Sequence, residues 1–453
     1  MTAVLQQPLP VESALQPRIR TAARFGDKVA AASACVLGFA GFMPYPAINI
    51  GNTSAVQIGN IVTVLMLVPF VSVWWLRRPL NIVPTLMVPL CLSTMLVAAT
   101  GTADVQLCIK FIVVIAISAL TLWAAQLYAP RYSLELLCGI AAAMVLHAIA
   151  GMWQFYAFRS DSFPLVELYV NQSFLSVQDN VNTIARYIKR PFGLFPEPSA
   201  MSSSLAPWVL FLAAHFLGLI HLKRQPSRRQ ELLFATAAAG ALLLIILSRS
   251  GHAAVMLAAL GIMGLVWAVR VKSKPQTHLL TILAAALVLP FLIVLAANML
   301  GDRLGGSSQL GNSSWEERTS SLVIGFGLLT EGSVSTALFG VGPGLSSPAL
   351  QERFGLEAVW SILLGYVYET GFLGVVVVAW IGWTLLQTWL KTRRSLVYAA
   401  FAGVWLVGIT ITTSYSQLLP IWIAFGWLTV WPAICGADPE TSTLIPGPAG
   451  GAS

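Results

Sequence analysis

Long apolar runs separated by short polar stretches dominate this chain. Crossing a bilayer takes about 20 mostly apolar residues in helical form. About twelve runs approach that length: 29–48, 56–76, 81–100, 109–129, 134–158, 200–222, 231–248, 251–269, 278–299, 358–390, 395–413 and 416–435. The pattern predicts an all-α polytopic membrane protein of about 12 transmembrane helices forming one domain over 29–435. The tenth run is too long for one simple span. It either begins as an interfacial segment around Val359 to Tyr366 or tilts. No convincing small-residue cleavage site follows the first run, so it reads as an uncleaved span rather than a signal peptide.

Composition supports the same class. Of 453 residues, 57% are hydrophobic and only 10% charged, against about 25% charged in a soluble domain. Too few charges are present to coat a globule, which excludes an ordinary soluble enzyme, a disordered protein and a nucleic-acid binder. Lipid must cover the apolar surface instead. The mean hydropathy of +0.77 agrees.

The net charge of +8 then reports orientation. With residues 1–28 placed in the cytoplasm, the inner segments hold 17 of the 26 basic residues but six of the 18 acids. Short basic inner loops are what the positive-inside rule expects. The same count puts two large loops, roughly 159–199 and 300–357, on the outer (periplasmic) side. The tail 436–453, rich in Pro, Gly, Ala and Ser, reads as a disordered cytoplasmic segment.

Other signals are weak. The five cysteines form no CxxC or Cys/His cluster and the histidines no HExxH spacing, so neither a disulfide framework nor a zinc site is suggested. No internal repeat is visible, and few charges fall inside the runs. Both points weigh against an ion-coupled transporter. The outer loops hold no Asp-x-Asp or other close carboxylate pair suited to Mg²⁺, so no metal or other cofactor is expected.

Candidate chemistry gathers at the outer ends of the runs. In Arg186-Tyr-Ile-Lys-Arg-Pro-Phe-Gly-Leu-Phe-Pro-Glu-Pro-Ser-Ala200, two prolines bracket Glu197 and hold it extended. Pro198 suits the first position of the next helix, where a negative charge is favoured. Glu197 is therefore either a general base facing an outer cavity or simply a helix cap. Arg186, Lys189 and Arg190 either bind phosphate or anchor at lipid headgroups. Ser248-Arg249-Ser250-Gly251 is the whole connection between two runs, and Arg249 there either binds an anion or pairs with an acid. His252 reads more readily as a cap or packing residue than as a catalyst. Ser313 with Glu316, or Ser314 with Glu317, makes a capping box. Arg318, on the helix that follows, reads locally as part of a solvated face. Gly340-Val-Gly-Pro-Gly344 is a flexible turn lacking the context of a phosphate loop. Tyr366-Val-Tyr-Glu369 puts an acid deep in an apolar stretch, where Glu369 either pairs with an outer arginine or serves a site.

The order Arg-x-x-Gly-x-Phe-x-Glu-Pro-Ser, then Ser-Arg-Ser-Gly opening a run, then an outer loop with Arg, Gly-x-Gly-x-Gly and Glu-Thr-Gly-x-x-Gly resembles the O-antigen ligase/Wzy polymerase superfamily. The Glu-Pro-Ser form is most like exopolysaccharide polymerases of the xanthan (gum) type. The resemblance covers residues from about 186 to 374. It implies a fold similar to C-class glycosyltransferases and a metal-independent transferase of the cell inner membrane, with both termini cytoplasmic and the active site facing the periplasm. Donor and acceptor would both be glycans on undecaprenyl diphosphate, and membrane lipids and proteins of chain-length control and export would be its partners. Carried over by motif, Arg190 and Arg249 stabilise the departing diphosphate, with Arg318 in a lesser role, and Glu197 is the candidate base. Arg186, Lys189, Tyr366, Glu369 and His252 would contribute to substrate binding. One departure matters. Ligases of this superfamily usually carry His-Asn nine residues before the Glu of Glu-x-Gly, where this chain has Trp360 and Ser361. That favours a polymerase over a ligase. A flippase for the lipid-linked sugar and a non-catalytic export scaffold are the alternatives from other classes.

Overall fold

The computed structural model describes residues 11–44, 47–49, 55–74, 82–100, 105–160, 189–270, 324–355, 359–392, 394–412 and 418–435, with isolated positions elsewhere. The run 278–299, Arg186, Arg318, the capping boxes at Ser313 and Ser314, the tail, most of the loop 159–199 and the first part of the loop 300–357 lie outside these residues.

Within them the protein is helical apart from one antiparallel ribbon, β1 (Ala47–Asn49) with β2 (Ala55–Gln57), in register Ile48 to Val56. Helix α1 (Val11–Gly41) begins earlier and ends earlier than the run 29–48. Pro44 and Pro46 lie just beyond its end and cannot continue a helix. Helices α2 (Ile58–Trp74) and α3 (Ile82–Thr100) fall on their runs. Two runs are joined in α4 (Val105–Ala157). A straight rod of 53 residues would be about 80 Å long, far beyond a hydrocarbon core of about 30 Å. The helix instead breaks at Tyr132 (φ −121°, ψ 36°), two residues after Pro130, giving arms 105–131 and 133–157.

Next come α5 (Pro198–Phe216), α6 (Arg228–Ser248) and α7 (Gly251–Arg270). After the short helices α8 (Gly327–Thr330), α9 (Val334–Phe339) and α10 (Ser346–Phe354), the overlong tenth run resolves into two helices. These are α11 (Ile362–Thr370) and α12 (Phe372–Lys391), broken at Gly371. Helix α13 (Leu396–Val407) passes into a π-helical turn, Gly408–Thr412. Helices α14 (Leu419–Thr429) and α15 (Trp431–Ile434) follow.

Three helical stretches among the described residues are long and apolar enough to cross a membrane: Val105–Ser160, Arg228–Ser248 and Phe372–Lys391; four shorter helices are also apolar. Large apolar side chains face outward, with Met95 68% and Leu232 69% exposed. A membrane protein turns such side chains to lipid.

Helix α4 is the frame, packing against α1, α2, α3, α6 and α14, whereas α5 is the buried centre, enclosed by α6, α7, α13, α14 and the π-turn. Every side chain of α5 from Pro198 to Leu212 is buried. Its two halves differ. The second half carries Trp208 and Phe211, which meet Phe401 and Trp427 edge to face at centroid distances of 5.3–6.2 Å. Such pairs add to burial with a directional preference. The first half carries Ser199, Ser202, Ser203 and Ser204, all buried.

Charged side chains collect at the end of the bundle where α5 finishes. Arg131 and Tyr132, at the break in α4, both donate to Asp27 of α1. Arg224 grips Glu135 through two hydrogen bonds of 2.7 and 2.9 Å. Lys223 donates to Pro432 O, and Leu222 bridges Cys435. The 19 residues of α5 rise about 28 Å, which separates this end from the one bearing Glu197.

Candidate functional site

The site grows from the start of α5. Glu197 is the N-cap residue, extended at φ −156° and ψ 164°, with Pro198 opening the helix. Glu197 O accepts the first helical bond from Met201 N. Its carboxylate makes no capping bond to the backbone. It accepts the Ser199 hydroxyl instead and is half-buried. A cap at this position ordinarily engages the N–H groups of the first turn. Here the carboxylate is spent on a side chain only, so capping does not account for it.

The segment leading into Glu197 is pinned to the second arm of α4. Gln154 Oε1 accepts the amides of Phe192 and Gly193 at 3.0 and 2.8 Å, and Gln154 Nε2 donates to Gly193 O at 2.8 Å. His147 Nδ1 accepts Leu194 N–H at 3.1 Å, and its Nε2 lies 2.6 Å from Phe42 O. A ring nitrogen that accepts an amide carries no proton, so His147 is the neutral Nε2–H tautomer and donates to Phe42 O. The amide group of Gln154 is likewise fixed, because a flip would face NH₂ against two N–H donors. Gly193 adopts φ +60°, and a Cβ there would sit 3.1 Å from both His147 Nδ1 and His147 O. Phe192 and Phe195 are fully buried beside it, with Phe195 4.5 Å from the His147 ring. Arg190, half-buried, and Lys189, exposed and left-handed at φ 49°, precede this anchored stretch.

The second element is the turn between α6 and α7, which is Arg249-Ser250 alone. Arg249 is the C-cap of α6 in the left-handed region (φ 47°, ψ 37°) and is exposed. Glycine is the usual residue there, since a side chain costs about 1–2 kcal/mol. Among the described residues no acid is paired with Arg249. The turn is tied to α5: Ser248 Oγ lies 3.3 Å from Ser202 Oγ, and Ser202 donates to Pro198 O. The contact with Ser202, in the first half of α5, puts Arg249 at the same end of α5 as Glu197.

The other described candidates, His252, Tyr366 and Glu369, are buried. His252 is fully buried in α7 with no hydrogen-bond partner on either ring nitrogen. It lies beside Ser203 and Gly408 of the π-turn, where a Cβ on Gly408 would approach within 3.4 Å of the imidazole. Tyr366 donates to Leu86 O of α3. Glu369 is 3% exposed. Its Oε1 accepts the Ser346 hydroxyl at 2.7 Å, while Oε2 has no partner. Among the described residues Glu369 pairs with no arginine, and the glycine turn at 340–344 engages its backbone. That turn wraps the end of α11: Val341 N and Gly342 N donate to Tyr368 O and Glu369 O. Ser361 caps α11 by accepting Leu364 N–H.

Sequence reasoning passed over His147 and Gln154. Both were visible as the polar positions of the apolar run 134–158, seven residues apart and so on one helix face. Among the described residues no cluster of three His, Cys, Asp or Glu is placed to hold a metal. Comparison with known family models, curated proteins and solved structures finds no match to this chain.

Proposed function

We propose that the protein is a polysaccharide polymerase of the inner membrane that joins undecaprenyl-diphosphate-linked repeat units at its periplasmic face. The full span count is then about twelve, both termini are cytoplasmic, and the Glu197 end of α5 is the outer one. The acceptor hydroxyl attacks the anomeric carbon of the donor glycan. Its proton passes to the Glu197 carboxylate, the anomeric C–O bond breaks, and the lipid diphosphate leaves with the bonding pair. Arg249 and Arg190 stabilise the charge that grows on the leaving oxygens. Lys189 extends the positive face, and Arg318 and Arg186, outside the described residues, are assigned to the same substrate by motif alone. No metal is required, because guanidinium groups supply the positive charge.

The observation that carries this reading is the pairing of two features at one end of α5. A carboxylate sits at the N-cap without capping, and an exposed arginine occupies a C-cap position that favours glycine. Both are arrangements in which a side chain is retained at some structural cost. The neighbouring motif order supports the same chemistry. Trp360 in place of the ligase histidine supports polymerisation over transfer to a lipid A core.

Cells carrying Glu197→Gln or Arg249→Ala, with normal amounts of protein in the membrane, are expected to make little or no polymer. Normal polymer length and yield in both variants would sink the proposal. Purified protein given lipid-linked repeat alone separates polymerase from ligase, since only a polymerase elongates it. Transbilayer movement of the lipid-linked sugar without bond formation would instead identify a flippase.

A further inference from the structure

We infer that His147 and Gln154 are positioning residues that set where Glu197 and Arg190 stand, and so govern the rate of the chemical step. The inference rests on the polymerase reading for its kinetic consequence and on geometry for its premise. The segment 191–197 contains two prolines and no regular structure of its own. Its backbone polar groups cannot be satisfied by a helix or sheet, and at this depth an unsatisfied one is costly. Gln154 satisfies three of them and His147 a fourth. Both side chains are fully buried, so neither touches a substrate.

The His147 bond has a further consequence. The ring bridges Phe42 O, just past α1, to Leu194 N. Three chain segments are thereby locked in one register: the end of α1, the second arm of α4, and the approach to Glu197. Gly193 admits the imidazole because it lacks a Cβ. From Leu194 the chain has only Phe195 and Pro196 before Glu197, with Phe195 N bonded back to Phe192 O at 3.1 Å. A shift at Gly193 therefore passes to the carboxylate with little slack. Arg190 lies two residues to the other side of Phe192 and moves with it. A displacement of about 1 Å in such a group costs on the order of a hundredfold in rate.

The test uses full-length protein in nanodiscs with a defined undecaprenyl-diphosphate-linked repeat. Gln154→Leu removes all three hydrogen bonds and is expected to lower kcat about a hundredfold while KM changes less than about threefold. Gln154→Glu should recover most of the rate. A buried carboxyl is neutral, and its carbonyl and O–H can reproduce the three bonds. If Gln154→Leu yields no folded protein, His147→Phe takes its place, keeping a ring against Phe195 and losing both bonds. A kcat close to the parent's, a loss that only tracks the folded fraction, or a Glu variant as slow as the Leu variant would each overturn the inference. Two readouts need no activity: amide exchange at Phe192 and Gly193, and the rate at which a carbodiimide modifies Glu197. Both should change in Gln154→Leu and return in Gln154→Glu; no change in either also overturns it. If wild-type protein fails to elongate the repeat, the polymerase reading falls and these two readouts still decide the clamp.

Discussion

Arg249 separates structural from chemical duty more cleanly than any other residue. Its backbone adopts φ 47° at a helix C-cap, where glycine carries no steric penalty. If the side chain served the fold, replacing it would harm the fold. Arg249→Gly is instead expected to leave the thermal midpoint unchanged or raise it, by up to about 1 kcal/mol of stability, while polymer formation is lost. A melt of the purified variant beside polymer analysis of the same strain checks this, and a fall in both would assign Arg249 to structure. Glu197 resembles it, since its carboxylate makes no capping bond to the first-turn amides of α5. Glu369 is the opposite case. Deep in an apolar stretch it invites a catalytic reading, yet Ser346 and the adjoining glycine turn hold it.

At the scale of elements, two glycine motifs that look separate in the chain prove to be one joint. Gly371 ends α11 at φ +63°, and Gly340 ends α9 at φ +80°. A Cβ on Gly340 would lie 2.3 Å from Glu369 C, and one on Gly371 would lie 2.6 Å from Gly340 N. Backbone meets backbone, so nothing flexible can yield. Gly340→Ala should cost about 4 kcal/mol or more. Gly355, also left-handed at φ +69° but with nothing within 4 Å, gives the control. Gly355→Ala should cost only the conformational strain of about 1–2 kcal/mol. Equal losses in thermal unfolding would show that strain, not contact, sets the price. This joint explains why the tenth run exceeds a single span: the chain breaks at Gly371 into two helices.

Among the described residues, charged side chains gather at the two ends of the bundle. The Asp27, Arg131, Glu135 and Arg224 cluster lies at one end, and Lys189, Arg190, Glu197 and Arg249 at the other. The Arg224–Glu135 pair is half-exposed, so it contributes under about 1 kcal/mol and serves mainly to join α4 to the α5–α6 connection. Lys223, Arg228 and Arg229 add positive charge at this end, which the proposed cytoplasmic placement expects. In cells otherwise lacking cysteine in this protein, Lys189→Cys is expected to react with a membrane-impermeant thiol reagent from outside. Ser227→Cys should react only after lysis. The reverse pattern would invert the proposed orientation and remove the site from the periplasm.

Class and broad layout were legible in the chain because they depend on local composition. Runs of apolar residues specify helices whatever their neighbours, and Pro198 and the Ser248–Gly251 turn mark helix ends by local backbone rules. Glu197 and Arg249 stood out for the same reason, as charges beside such ends. Tertiary structure alone decided what each polar group is bonded to. The clamp of His147 and Gln154 on residues 192–194 spans some forty positions of sequence and depends on how α4 lies against the segment before α5. The joint of Gly340 with Gly371 is equally non-local. Hydrogen bonds act over about 3 Å, and no local pattern specifies which distant groups the packed helices bring within that range.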